Sequence, residues 1–386
     1  MVWKRTLLLS LAAALLMSAR NGQAAEYVFA VPSDDRWHYP YNFSVGGRTI
    51  ATCFGTAGTP TFNDRDGIMI IAWQTGNEIA PGLAADAYGI RSVTVTLTNT
   101  ADAAWPVDLT VDEWFTYDVD GNDILNLDGV PRGEPGDVDG ESDDEDPGRP
   151  IELFGAGFGP FYTAQSWNEL SLFIGSANSP GVARDPFPFV FQDVTGALLH
   201  VEDNVKGLHN DHLPVPVYGF TPTPWAIGVP IDYTPGNQPV PFDVVFQVDL
   251  TLSEGAVRRY FQEQLSAGRV FVAVTSLTET IQEGPQGGVP AFYTKEAVGI
   301  PGAKAPRLDL YACLAVRPDL DMDCDVDSAD LERFEQCVTG PAKGPVEEGC
   351  ARADFDGDGD VDQEDFGILQ HCLSGDGIEP DPACAS

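Results

Sequence analysis

The sequence predicts a mainly β fold, on the basis of two patterns of apolar residues and many turn residues. Residues 67–73 form a continuous apolar run, as expected of a strand buried on both faces. From Ile90 to Thr98, apolar and threonine side chains alternate, which is typical of a strand with one buried face. The chain of 386 residues contains 40 glycines and 30 prolines, many between short apolar runs, which argues against an all-helical protein. We therefore expect residues 25–312 to form a jelly-roll-like β-sandwich.

Shorter apolar runs predict further strands in the same region, at residues 187–193, 242–250, 269–277 and 306–312. One helix is predicted at residues 253–267, with Ser253 as its N-cap and Gly268 directly after its last turn. The apolar residues of this helix fall on one face, so we expect it to lie across an end of the sandwich. They are Val257, Tyr260, Phe261 and Leu265.

The N-terminus has the pattern of an export signal. Lys4 and Arg5 precede an apolar run from Thr6 to Met17, and Gly22-Gln23-Ala24 offers a cleavage site before Ala25. The run is too short to span a bilayer, and no second run of about 18 apolar residues follows. We therefore predict a signal peptide at residues 1–24, no transmembrane segment, and a protein that is secreted, extracellular or at the cell surface.

The negative charge of the chain limits its partners. A net charge of −38 and a pI near 4.1 leave no basic face for nucleic acid or for an anionic membrane surface. Residues 319–386 carry 20 acidic and 3 basic residues, and residues 118–146 carry 12 acidic and 1 basic residue. The second stretch lies in a predicted acidic insertion, residues 118–149, for which both a plain solvated loop and a calcium site at Asp118, Asp120, Asn122 and Asp123 stay open.

An acidic motif occurs twice near the C-terminus, at an offset of 35 residues. The first loop is residues 319–330 and the second is residues 354–365. Each places carboxylates at positions 1, 3, 5, 9 and 12, which together with the position-7 carbonyl supply the oxygens that calcium requires. Position 6 needs a left-handed backbone; it is Gly359 in the second loop and Cys324 in the first, where a disulfide could hold it. Val361 at position 8 is expected to make an apolar contact between paired loops.

Residues 319–375 resemble the type I dockerin repeats, which share the tandem loops and the aspartate at position 12. The resemblance implies a small α-helical, EF-hand-like module that binds two calcium ions and docks onto a cohesin. In that family the docking anchors enzymes that degrade extracellular polysaccharides. The implied calcium ligands are Asp319, Asp321, Asp323, Asp325, Asp327, Asp330, Asp354, Asp356, Asp358, Asp360, Asp362 and Asp365. The partner-binding positions are Ser328, Ala329, Gln363 and Glu364.

The cysteines indicate disulfide bonds in the C-terminal region. Of seven cysteines, Cys53 stands alone and six lie between residues 313 and 384. Counting alone leaves 15 pairings open. The repeat favours one hypothesis, because Cys337 and Cys372 end equivalent helices and a further cysteine follows each at nearly equal distance. The hypothetical bridges are Cys337–Cys350, Cys372–Cys384 and Cys313–Cys324.

The β region is weakly similar to the DNRLRE-type jelly rolls, which are related to carbohydrate-binding modules. The segments that carry the similarity are 64–75, 90–97, 249–251, 270–276, 293–296 and 306–311. The similarity implies a domain that binds or displays, with no reaction attached. Aromatic residues at 37–41 and Trp225 could stack on sugar rings, although we favour core packing. His209, Asp211 and His212 could offer metal ligands, but a solvated loop is the favoured interpretation.

We therefore predict a secreted, non-catalytic binding or attachment protein. A calcium-loaded module at residues 313–386 would anchor a β-sandwich at residues 25–312 that binds extracellular polysaccharide, with a cohesin-like or cell-surface protein as partner. The main alternative is an enzyme of polysaccharide catabolism, a glycoside hydrolase or lyase, for which the sequence identifies no catalytic residue. A third possibility is a structural envelope or matrix protein.

Overall fold

A computed structural model describes residues 24–42, 44–56, 65–100, 105–111, 149–175, 184–192, 197–201, 221–232, 241–280 and 288–385. The predicted signal peptide, residues 1–24, lies outside these residues except for Ala24. The acidic insertion, except for Arg149, and the histidine motif at 209–212 also lie outside them.

Short strands make up most of the regular structure. In chain order they are β1 (Ala25–Phe29), β2 (Asp34–His38), β3 (Ile50–Thr52), β4 (Gly55–Thr56), β5 (Ile68–Gln74), β6 (Tyr88–Asn99), β7 (Ile151–Gly157), β8 (Phe187–Phe191), β9 (Leu198–His200), β10 (Ala226–Ile227), β11 (Val229–Pro230), β12 (Phe242–Gln247), β13 (Arg269–Ser276), β14 (Glu279–Thr280), β15 (Ala291–Tyr293) and β16 (Arg307–Leu314). The helices are α1 (Ala256–Ala267), α2 (Ser328–Cys337) and α3 (Gln363–Cys372). Within the described ranges, short 3-10 turns are at Ala85–Ala87, Ser253–Gly255 and Glu348–Cys350. The prediction of a mainly β protein is confirmed.

Two antiparallel sheets contain most of the strands. The first has the order β1-β16-β6-β12-β11, with β15 pairing both β6 and β3. The second has the order β2-β5-β13-β7-β8-β9, with β10 on β7. Six strands correspond to those predicted from the sequence: β5 to residues 67–73, β6 to 90–98, β8 to 187–193, β12 to 242–250, β13 to 269–277 and β16 to 306–312.

The main apolar core lies between the sheets, and β5 shows how the chain fills both of its faces. Met69, Ile71 and Trp73 belong to this core, together with inward residues of the first sheet. Ile68, Ile70 and Ala72 point the other way, into a second cluster that includes Trp167 and Phe271. Because both faces of β5 are buried over residues 68–73, this stretch is apolar throughout, as the continuous run predicted, and only the terminal Gln74 is exposed.

The helix α1 packs against β13 and β6 through the predicted face. Val257, Tyr260, Phe261 and Leu265 are buried, and Gly268 ends the helix with a φ of 76°. The predicted N-cap, Ser253, is wrong. Ser253 and Glu254 have positive φ angles of 50° and 55°, whereas an N-cap residue is extended. The chain therefore makes a left-handed turn first, and the helix begins after Gly255.

Among the described residues, no helix is long and apolar enough to cross a membrane. The helices α2 and α3, which follow the sandwich, have ten residues each and begin at position 10 of the two acidic loops.

Candidate metal centres

The two acidic loops follow the same backbone path. Position 4 has a positive φ in both, 65° at Met322 and 79° at Gly357. Position 6 does as well, 76° at Cys324 and 96° at Gly359. The first loop thus places two non-glycine residues in the left-handed region, at a cost of about 1–2 kcal/mol each. The calcium pattern predicted a left-handed backbone at position 6 but not at position 4.

Carboxylates from positions 1, 3 and 12 meet in each loop. In the first loop these are Asp319, Asp321 and Asp330, each offering an oxygen that lies within 4.8 Å of the others. Asp354, Asp356 and Asp365 do the same in the second loop. The residues at positions 7, 9 and 12 form a second such group in each loop, comprising Asp325, Asp327 and Asp330, and Asp360, Asp362 and Asp365. The carboxylates at position 5, Asp323 and Asp358, instead accept the position-7 N–H.

The aspartate at position 12 binds main-chain N–H groups of each loop and is the third residue of the helix that begins there. One oxygen of Asp330 accepts the N–H groups of Leu320 and Asp321, at 2.6 and 3.2 Å, and the other accepts the Asp327 N–H at 2.8 Å. Asp365 makes the corresponding bonds at 2.6, 3.2 and 2.9 Å. Asp327 and Asp362 are the N-caps of α2 and α3, so each helix begins with a capping box.

The residues at position 8 connect the two repeats. Val326 and Val361 are both buried in one apolar cluster with Phe334 and Leu369. Their main chains, however, bond to the segment after the helix of the other repeat: Val326 O accepts Ser374 N, and Val361 O accepts Thr339 N, both at 2.9 Å. The apolar cluster agrees with the expected contact at position 8, and the main chain of each loop pairs in addition with the segment after the helix of the other repeat.

The side chains at position 7 make the same exchange. Asp325 Oδ2 accepts the N–H of Gly377 at 2.7 Å, and Asp360 Oδ2 accepts the N–H of Ala342. The two acceptors, Asp325 and Asp360, are 35 residues apart in sequence, and so are the two donors, Ala342 and Gly377. The remaining oxygens, Asp325 Oδ1 and Asp360 Oδ1, are buried and have no hydrogen-bond partner among the described residues.

Two arginines that the sequence patterns did not identify, Arg317 and Arg352, are also 35 residues apart. Arg317 and Arg352 each precede a loop by two residues, and each reaches across to the other loop. Arg317 donates to the Asp354 carbonyl at 2.8 Å, and Arg352 donates to the Asp319 carbonyl at 3.2 Å. Extending the repeat two residues upstream would have found them.

The electrostatics of the first loop are those of carboxylates held together in a buried place. Burial, followed by repulsion from Asp330, raises the pKa of Asp319 to about 7. Burial and Asp323 raise the pKa of Asp321 to about 7, and burial raises that of Asp330 to about 6. In the second loop, Asp356 and Asp358 are exposed. A divalent cation would relieve the repulsion between the carboxylates of the first loop.

The three predicted disulfides are present. Cys337–Cys350 follows α2 and Cys372–Cys384 follows α3, at equivalent places in the two repeats. Cys313–Cys324 joins β16 of the sandwich to position 6 of the first loop. Cys53 is fully buried near the Val274 carbonyl, and burial raises the pKa of its thiol, an environment typical of structural cysteines.

The candidate partner-binding residues lie in the first turns of α2 and α3. Ser328, Gln363 and Glu364 are exposed, and Ala329 is half-buried. They occupy the same two positions of each repeat.

Several acidic residues of the sandwich pair with basic side chains. Oxygens of Asp35, Glu169 and Glu296 lie close together, but the Lys295 ammonium contacts all three. In the interior, Arg65 pairs with Glu152 at 2.7 Å and Arg184 pairs with Asp66 at 2.9 Å. These groups therefore differ from the two loops, where carboxylates face one another.

The aromatic residues proposed for sugar stacking lie mostly in the interior. Trp225 is 2% exposed and packs among Phe189, Tyr260 and Phe261. Trp37 is half-buried, stacks on Tyr39 at 4.6 Å between ring centroids and is covered by Arg48. The favoured interpretation, core packing, holds for Trp225.

No family model matches the chain, and comparisons with curated proteins and with solved structures also find no match. Any assignment of function therefore depends on the residues and the geometry of this chain.

Proposed function

We propose that the two loops bind one calcium ion each, and that the protein is a secreted, non-catalytic binding or attachment protein. In this proposal the dockerin-like module at residues 313–386 anchors a jelly-roll-like sandwich that holds extracellular polysaccharide. The observation that carries the proposal is the doubled set of carboxylates, brought together by the same hydrogen bonds in both loops.

The donor set fits calcium rather than a softer metal. Each loop offers only oxygen atoms, from carboxylates and from the position-7 carbonyl, and calcium takes six to eight oxygens. The fit is supported by carboxylate oxygens that are buried without a partner among the described residues, in Asp321, Asp325 and Asp360. The ion would be held in the first loop by Asp319, Asp321, Asp323, Asp325, Asp327 and Asp330, and in the second by their counterparts 35 residues later.

Attachment would use the start of α2 or α3. The residues exposed there, Ser328, Gln363 and Glu364, are positions 10 and 11 of the loops that calcium would rigidify. A cohesin-like or cell-surface protein is the proposed partner. Export is supported by the signal-like N-terminus and by the three disulfides, which are typical of proteins that fold in oxidising compartments.

The test of calcium binding is calorimetric titration of the mature chain, residues 25–386. We expect two ions for the wild type and one for Asp354→Asn/Asp356→Asn. Asparagine keeps the oxygen that accepts the loop N–H groups but removes the charge. Glu335→Gln in α2 is the matched control, because Glu335 is exposed and lies outside both loops. Absence of binding in the wild type would refute the proposal.

The role of the sandwich is tested on a panel of polysaccharides. Retention of a glycan without turnover supports a binding protein. Turnover that a single Asp or Glu substitution outside the two loops abolishes would replace this proposal with the enzyme. Neither retention nor turnover, together with calcium-dependent self-association, would favour the structural role.

A further inference from the structure

The first loop is attached to the sandwich at a bulge in β6. The register between β6 and β16 shifts so that Tyr311 pairs with Ser92 and Ala312 pairs with Ile90, which leaves Arg91 as the extra residue. The Ile90 N–H, in the irregular part of this ladder, donates to the Met322 carbonyl at 2.7 Å. The bulge therefore directs the Ile90 N–H and the Arg91 side chain towards the loop.

Arginines of the sandwich bind the carbonyls on either side of Met322. Arg91 donates to the Asp323 carbonyl at 3.0 Å, and Arg258 of α1 donates to the Asp321 carbonyl. Arg91 also pairs with the Asp325 carboxylate at 3.2 Å. The sandwich thus holds three consecutive carbonyls of the loop, at positions 3, 4 and 5. Two carboxylate oxygens, Asp321 Oδ1 and Asp325 Oδ1, have no hydrogen-bond partner among the described residues.

Position 6 of the loop is joined covalently to the sandwich. The Cys313–Cys324 disulfide lies directly against Gly89, where an added Cβ would approach Cys313 Sγ to 2.4 Å and Asp319 Oδ2 to 3.2 Å. Position 1 of the loop is therefore also in close contact with β6. The equivalent residues of the second loop, 356–359, are exposed instead.

We propose that the first calcium site is a joint between the two parts of the protein, so that calcium bound there stabilises the sandwich as well as the module. Calcium in the second loop would stabilise the module alone. The inference rests on the proposed calcium binding and adds a distinct role for each site. The left-handed residues Met322 and Cys324 are held in place by these same contacts, since one accepts the bond from Ile90 and the other carries the disulfide.

The tryptophans make the joint measurable. In the mature chain they are at positions 37, 73, 105, 114, 167 and 225, and residues 313–386 contain none. Thermal unfolding followed by tryptophan fluorescence therefore reports on the sandwich only. At calcium about 100-fold above its dissociation constant, we expect the tryptophan-detected midpoint of the mature chain to rise by about 5–10 °C.

Matched variants distinguish the two loops. Asp321→Asn/Asp323→Asn should abolish the calcium-dependent rise, and Asp356→Asn/Asp358→Asn, the same positions of the second loop, should retain most of it. Equal behaviour of the two variants would overturn the proposal. If calorimetry finds two ions but the wild-type midpoint does not move, the joint fails while calcium binding stands; if no ion binds, the proposed function itself fails.

A second pair of variants leaves every calcium ligand in place. Arg258→Ala should bind two ions and yet show a smaller calcium-dependent rise. Its neighbour Arg259 is exposed and pairs with Glu263 on the same helix, so Arg259→Ala should behave as the wild type. A full rise in Arg258→Ala, together with a full rise in Arg91→Ala, would exclude the arginine contacts as the joint.

Discussion

Buried carboxylates are stabilised in opposite ways in the sandwich and in the C-terminal module. Glu152 and Asp66 of the sandwich each contact an arginine that is itself buried. In the first loop, Asp319 and Asp330 face each other, and their surrounding arginines bind main-chain carbonyls instead of the facing oxygens. The sandwich therefore supplies counter-charges for Glu152 and Asp66, whereas in our proposal a calcium ion would supply the counter-charge in the loop. The next three experiments test this difference.

The largest expected effect is in the sandwich. Arg65→Met leaves Glu152 buried without its ion-pair partner, and breaking a pair of this kind costs about 3–5 kcal/mol. Arg65→Met/Glu152→Leu should recover most of that loss, because the uncompensated charge is removed as well. Urea unfolding followed by tryptophan fluorescence measures both.

The matched control is Arg307→Met, which removes an exposed pair with Asp309 and should change stability by less than about 1 kcal/mol. A loss as large as that of Arg65→Met would show that the effect does not come from burial of the charge.

The pH dependence of calcium affinity is the next largest effect. Because the pKa of Asp319 is raised to about 7, the calcium-free folded loop binds more protons than the unfolded chain between about pH 4 and pH 7. Without calcium, its stability therefore falls as pH rises through this range. Calcium must displace these protons, so its affinity for the first loop should fall about fivefold from pH 7 to pH 6. Titrations of Asp356→Asn/Asp358→Asn at both pH values isolate this site, and an unchanged affinity would contradict the raised pKa.

The smallest expected effect concerns the helix caps. Asp362→Ala removes the N-cap of α3 and should destabilise the module by about 1 kcal/mol even without calcium. Circular dichroism of the calcium-free chain during urea unfolding measures the loss, and Asp362→Ser should restore most of it because serine also caps. A loss that occurs only with calcium present would mean that Asp362 acts as a ligand alone.

Local patterns in the sequence predicted a large part of the fold and of the candidate site. The apolar run at 67–73 and the alternation at 90–98 predicted β5 and β6, since burial on one or two faces determines which residues a strand can carry. The 35-residue offset identified both loops and favoured the disulfide pairing that is observed. The prediction of Ser253 as N-cap was wrong, because residues 253–255 form a left-handed turn before the helix begins.

Sequence by itself determined what lies within one strand, one helix face or one repeat: six strands of the sandwich, the buried face of α1, and the 35-residue repeat of the aspartates, which favoured the disulfide pairing without proving it. Only the tertiary structure decided what surrounds them. Arg91 and Asp323 are 232 residues apart in sequence but meet through a bulge in β6, and Arg317 and Arg352 exchange between the repeats. Contacts between distant residues depend on how the sheets and helices pack, and periodicity within a short window contains no information about that packing.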